Sequence, residues 1–62
     1  MGIRDIRKLT SMGIRVFKIN LLKKRIYEHR KGQWSEYETY PTKTHALKEW
    51  DDLMKRPTFI SV

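Results

Sequence analysis

Few side chains in this 62-residue chain combine the types and spacing that chemistry requires. Glu36 and Glu38 stand two apart, as carboxylates on one face of a strand do. General acid–base work also needs a water-excluding pocket that drives two such pKa values apart. Arg25, expected opposite Glu38 in a hairpin, makes that carboxylate half of a cross-strand pair worth about 0.2 to 1 kcal/mol. His29 and His45 fall on different elements, without companions at metal-ligand spacing, and there is no cysteine to complete a zinc set. The three glycines lie far apart, so there is no Gly-rich loop to cradle a phosphate. These readings predict a protein that is not an enzyme and has neither a metal site nor a cofactor.

The residues left to carry function are cations with rings among them. Arg15, Lys18, Lys23, Lys24, Arg25, Arg30 and Lys31 crowd the first half of the chain, interleaved with Tyr27, His29 and Trp34. The net charge of +7 is unevenly placed: residues 1–31 carry +8 and residues 32–62 carry −1. Such a field steers a molecule toward phosphate-rich or acidic surfaces. Each phosphate neutralised releases counterions, which gives salt-dependent affinity without sequence information. Aromatic rings on a sheet face add a platform for unpaired bases, and a strand pair also fits a major groove. The candidate binding residues are therefore Arg15, Lys18, Lys23, Lys24, Arg25, Tyr27, Arg30, Lys31 and Trp34.

These residues must be positioned by a single small domain spanning 1–62, with no disulfide to staple it. In the basic segment 1–13, Ile3, Ile6, Leu9 and Met12 recur every three residues, predicting a short amphipathic helix closed by Gly13 in a left-handed conformation. Met1 and Met12 are read as core or terminus. From Ile14 to Leu22, Phe17, Ile19 and Leu21 alternate as the core-facing side of a strand. Arg25–Arg30 and Gln33–Tyr40 flank Lys31-Gly32, a two-residue hairpin turn. That register pairs Ile26 with Tyr37, Tyr27 with Glu36, His29 with Trp34 and Arg25 with Glu38. Ile26, Ser35, Tyr37 and Thr39 then face the core. Arg25, Tyr27, His29, Trp34, Glu36 and Glu38 face away from it.

After Pro41, the spacing of Ala46, Leu47, Trp50, Leu53 and Met54 gives one apolar stripe of a helix over residues 42–56. Thr42 or Thr44 caps it, Lys55 and Arg56 suit its C-terminus, and Pro57 ends it. The tail, residues 58–62, fits a short edge strand. The fold class is α+β: a three-stranded antiparallel meander over residues 14–40 packed on one C-terminal helix, with a short N-terminal helix and C-terminal edge strand as additions. The expected core is Phe17, Ile19, Leu21, Ile26, Tyr37, Leu47, Trp50 and Met54.

Three strands followed by a helix, with the passage RKGQWSEYETYPTKTHALKEW, resemble the N-terminal arm-type DNA-binding domain of phage and transposon tyrosine recombinases over residues 15–55. The resemblance implies a sheet face, turned away from the helix, that enters the major groove, and nominates Lys18, Arg25, Tyr27 and Trp34. Glu36 and Glu38, expected on that same face, depart from the pattern, and no catalytic domain accompanies it. In size and charge the chain also resembles the early proteins by which phages bind and inhibit host enzymes.

The expected function is a small basic nucleic-acid-binding protein, with DNA ahead of RNA, acting as a phage or mobile-element regulator. The alternative is an interaction protein that binds and inhibits or redirects a host protein, pressing the basic hairpin onto an acidic surface. No apolar run approaches the roughly 18 residues of a membrane span. A cytoplasmic location is expected, that of the host cell if the chain is phage-encoded.

Overall fold

A computed structural model describes the chain from Ile3 to Val62, with side chains from Asp5 onward. The placement of Met1, and of the Ile3 side chain on the apolar stripe, lies outside the described residues. The elements run α1 (Ile3–Ser11), β1 (Arg15–Asn20), β2 (Arg25–Arg30), β3 (Gln33–Thr39), α2 (Lys43–Met54) and β4 (Phe59–Ser61). The strands form one sheet in the order β3-β2-β1-β4. The meander is antiparallel, and β4 returns parallel to β1 through α2. The α+β architecture, with both the N-terminal helix and the short edge strand, is the one the sequence pattern predicts.

The pleat sorts side chains onto two faces. On one, Phe17 and Ile26 are fully buried with Ala46, Leu53 and Tyr40, and Ile19, Trp50, Met54 and Phe59 pack around them. This is the core beneath α2. On the other, Val16 is fully buried outside that cluster, and α1 lies against β1, burying Ile6. The sheet thus has a helix on each side, α2 packing on β2 and β4 and α1 on β1.

Local chemistry explains the element ends. Gly13, at φ +83°, closes α1, with its N–H donating to Thr10 and that of Ile14 to Leu9. Met12, just beyond the last helical residue, is exposed rather than in the core. Thr42 caps α2 by accepting from the N–H of His45. The β1–β2 turn spans Leu21–Lys24: the Asn20 side chain accepts from the N–H of Lys23, and Lys24 takes φ 54°. Leu21 therefore leaves the strand and lies exposed in the turn, not in the core. Leu47 sits beside the α2 stripe and is 48% exposed, while its neighbour Ala46 is fully buried.

The second hairpin keeps its expected two-residue loop, with Lys31 and Gly32 both at positive φ and Arg30 paired with Gln33. His29 pairs with Trp34 and Tyr27 with Glu36, as the turn dictates. Beyond Tyr27 the register shifts: Ile26 faces Glu38 and Arg25 faces Thr39. The inserted residue is Tyr37, whose ring meets Phe17 edge-on at 5.3 Å between centroids. A bulge makes two residues of one strand oppose one of its neighbour, and the pairing on its far side moves by one.

Candidate functional site

The bulge corrects the expected arrangement of charge. Glu38, opposite Ile26, lies on the α2 side, where it lines a shallow cleft with Tyr37, Tyr40, His45 and Glu49. The expected Arg25–Glu38 pair does not form. Arg25 instead places Nε 3.0 Å from Oε1 of Glu36, and Thr39, now on the same face, donates its hydroxyl to that oxygen at 3.0 Å. The Arg25 contact is close in distance without hydrogen-bond alignment, since Nε is buried and finds no partner of suitable geometry. Of the two carboxylates expected on the face away from α2, one remains there, and a guanidinium and a hydroxyl partner it.

On that face α1 covers the end that holds Val16 and His29. The other half carries Lys18, Asn20, Arg25, Tyr27 and Trp34, all half-buried, and the exposed Glu36. Lys18 reaches across β2 and sets its ammonium 4.4 Å from the centre of the Trp34 ring and 5.4 Å from that of Tyr27. A cation over an indole face is attracted by the ring quadrupole, by about 0.5 to 1 kcal/mol at exposed sites. The Trp34 ring also packs perpendicular to that of His29, with 5.1 Å between centroids. His29 itself is 6% exposed, so it supports the ring rather than offering its own face.

Cations flank both ends of this strip. Lys23 and Lys24 occupy the β1–β2 turn beside Asn20 and Arg25. At the opposite end Arg7, Thr10 and Ser11 of α1 face His29, Lys31 and Gly32 across an open cleft of about 380 Å³. Arg7 was not among the residues nominated from the sequence. Its one signal there is position: it follows Ile6, whose burial turns the neighbouring residue toward the margin of the docked face.

Two nominated cations sit elsewhere. Arg15 lies on the α2 side and grips Glu28 through Nε to Oε2 at 2.6 Å and Nη2 to Oε1 at 2.8 Å. Its guanidinium also stacks 4.7 Å from the centre of the Phe59 ring. The Arg15 hydrogen bonds hold the Glu28 carboxyl below the usual carboxylate range against the opposing effect of burial, and the charges of Arg15 and Arg30 add to them. Glu28 raises the Arg15 pKa in return. Arg30 alternates onto the same side as Glu28. The structure therefore gathers Lys18, Arg25, Tyr27 and Trp34 on one open surface, with Lys23, Lys24 and Lys31 at its ends, and assigns Arg15 to an ion pair beneath the sheet.

Among the described residues no three His, Cys, Asp or Glu side chains approach as a metal set would. His45 faces Glu49 at 3.8 Å on one helix. Tyr40, buried at the end of the sheet, has its hydroxyl pushed up to about 12, first by burial and then by the charges of Glu49 and Glu38, which keeps it neutral. Among the described residues no helix is long and apolar enough to cross a membrane. No family model matches the chain, and no curated protein or solved structure matches it.

Proposed function

We propose that the protein is a non-enzymatic nucleic-acid-binding module that uses the half of the sheet left open by α1. The observation that carries this reading is the cluster of Lys18, Tyr27 and Trp34, in which an ammonium and two rings share one accessible surface. Rings supply stacking area for bases and the lysines at either end supply contacts for the backbone. The bulge supports the reading because it takes Glu38 off this surface and leaves Glu36 partnered by Arg25 and Thr39.

The test is an anisotropy titration with labelled oligonucleotides, single- and double-stranded, at several salt concentrations. Affinity should fall as salt rises, by a slope of about 0.7 to 0.9 per phosphate neutralised. Replacing Lys23 and Lys24 together by Gln should lower that slope by up to about 2. No binding at low salt, or affinity indifferent to salt, would remove the proposal.

One observation favours a second reading, an acidic protein partner. β3 is a seven-residue edge strand with its outer backbone unpaired in the sheet, and such an edge accepts an added strand. A stoichiometric protein partner recovered from nuclease-treated lysate, and lost when Lys23 and Lys24 become Gln, would shift the assignment to protein.

A further inference from the structure

We infer that the nucleic acid this surface accepts is a single strand with unpaired bases, and that a duplex does not fit it. The inference rests on the nucleic-acid reading above and specifies its ligand.

A sheet that reads a duplex must bring its face into a major groove about 12 Å wide and 8.5 Å deep. Here α1 stands on the same face, docked on β1 through Ile6 and bordering the β2–β3 turn. A helix is about 10 to 12 Å thick with its side chains, more than the depth of the groove. It would meet the phosphate ridge before Tyr27 or Trp34 reached a base edge. What α1 leaves uncovered is the part of this face that carries Lys18, Arg25, Tyr27, Trp34 and Glu36.

A single strand can follow that surface. A six-residue strand such as β2 spans about 20 Å at roughly 3.3 Å per residue, with Lys23 and Lys24 at one end and Arg7 and Lys31 at the other. Between them lie the Tyr27 and Trp34 rings, and the base stacks on Trp34 where the Lys18 ammonium now rests, the lysine moving aside to a phosphate. His29 packs perpendicular to the Trp34 ring, so the platform is oriented before the base arrives. In a duplex the bases already stack on one another and offer no free π-face, so the rings have nothing to bind.

The experiment compares one labelled oligonucleotide of mixed sequence, alone and annealed to its complement, at the same low salt. The single strand should bind at least tenfold more tightly. Trp34→Leu should weaken single-strand binding by about 5- to 150-fold, the effect of losing one stacked ring. Trp34→Phe should retain most of the affinity, and neither variant should change the salt slope. If melting shows that Trp34→Leu does not fold, Tyr27→Leu reads the same loss at the neighbouring ring, with an expected weakening of about fivefold or more. Equal or tighter duplex binding, or a folded ring-to-Leu variant without loss, would overturn the inference while leaving nucleic-acid binding in place. Failure of both forms to bind would remove the nucleic-acid reading itself.

Discussion

Among individual residues, Glu28 is the one whose burial most needs explaining. A carboxylate that is 6% exposed survives because Arg15 meets both of its oxygens and sets its guanidinium over the Phe59 ring. Arg15 keeps nearly half its side chain in water, so the pair is only partly desolvated. Glu28→Gln is expected to cost about 1 to 3 kcal/mol, below the range for a fully buried pair broken on one side. Because the folded state holds the Glu28 carboxyl below its ordinary value, its contribution is complete above the unfolded pKa of about 4.3 and is lost as pH falls through the folded value. Thermal melts of the parent and of Glu28→Gln should therefore converge as pH drops below about 4. A gap between the two that stays constant down to strongly acid pH would show that the carboxylate does not carry this stability. The sequence alone gave no warning that Arg15 was committed. Its basic type nominated it for binding, and the partner that claims it is thirteen positions away in sequence, across the sheet.

At the scale of elements, the second hairpin shows what local sequence specifies and where it stops. Lys31-Gly32 determined the loop, and the loop determined the pairing from Arg30–Gln33 back to Tyr27–Glu36. Gly32 sits at φ +82°, and a Cβ there would meet Nη2 of Arg7 at an ordinary 3.5 Å. Its requirement for glycine is thus one of backbone conformation, and Gly32→Ala should cost about 1 to 2 kcal/mol, read as a lowered melting temperature. A melting temperature unchanged within error would mean that the turn is not the source of the register. Beyond Tyr27 the turn's influence ends, because a bulge is a property of two strands and of the ring packing at Tyr37, and no residue type marks it in advance. The helices follow the same division. The Thr42 cap and the apolar stripe made α2 legible, whereas the position of Leu47 beside that stripe was settled only by where the sheet lay. The spacing of Ile6 and Leu9 predicted α1, but not which face of the sheet it would cover, and that face is what limits the proposed site.

At the scale of the whole molecule, the charge divides by role as well as by position in the chain. Sequence located the excess in residues 1–31, and the structure separates cations held in an ion pair within the sheet from cations carried in its turns. Arg15 belongs to the first kind. Lys23 and Lys24 belong to the second: they lie in a turn, away from the core, in a protein of net charge +7. Like charges packed into so small a domain repel one another, and a protein surface selected for stability alone would dilute them. Removing both lysines as Gln should therefore leave the melting temperature equal or higher at low salt, and this difference should shrink as added salt screens the repulsion over a Debye length of about 10 Å at 0.1 M. The same double substitution should weaken binding to the single strand, while Glu28→Gln should lower stability and leave the affinity of the folded protein intact. Melting and titration of the two variants side by side thus test whether the basic half of the chain is kept for a partner at some cost to the fold. A double Lys variant that melts lower at low salt would place these lysines among the residues that hold the molecule together, and would remove the reason for regarding them as a binding surface.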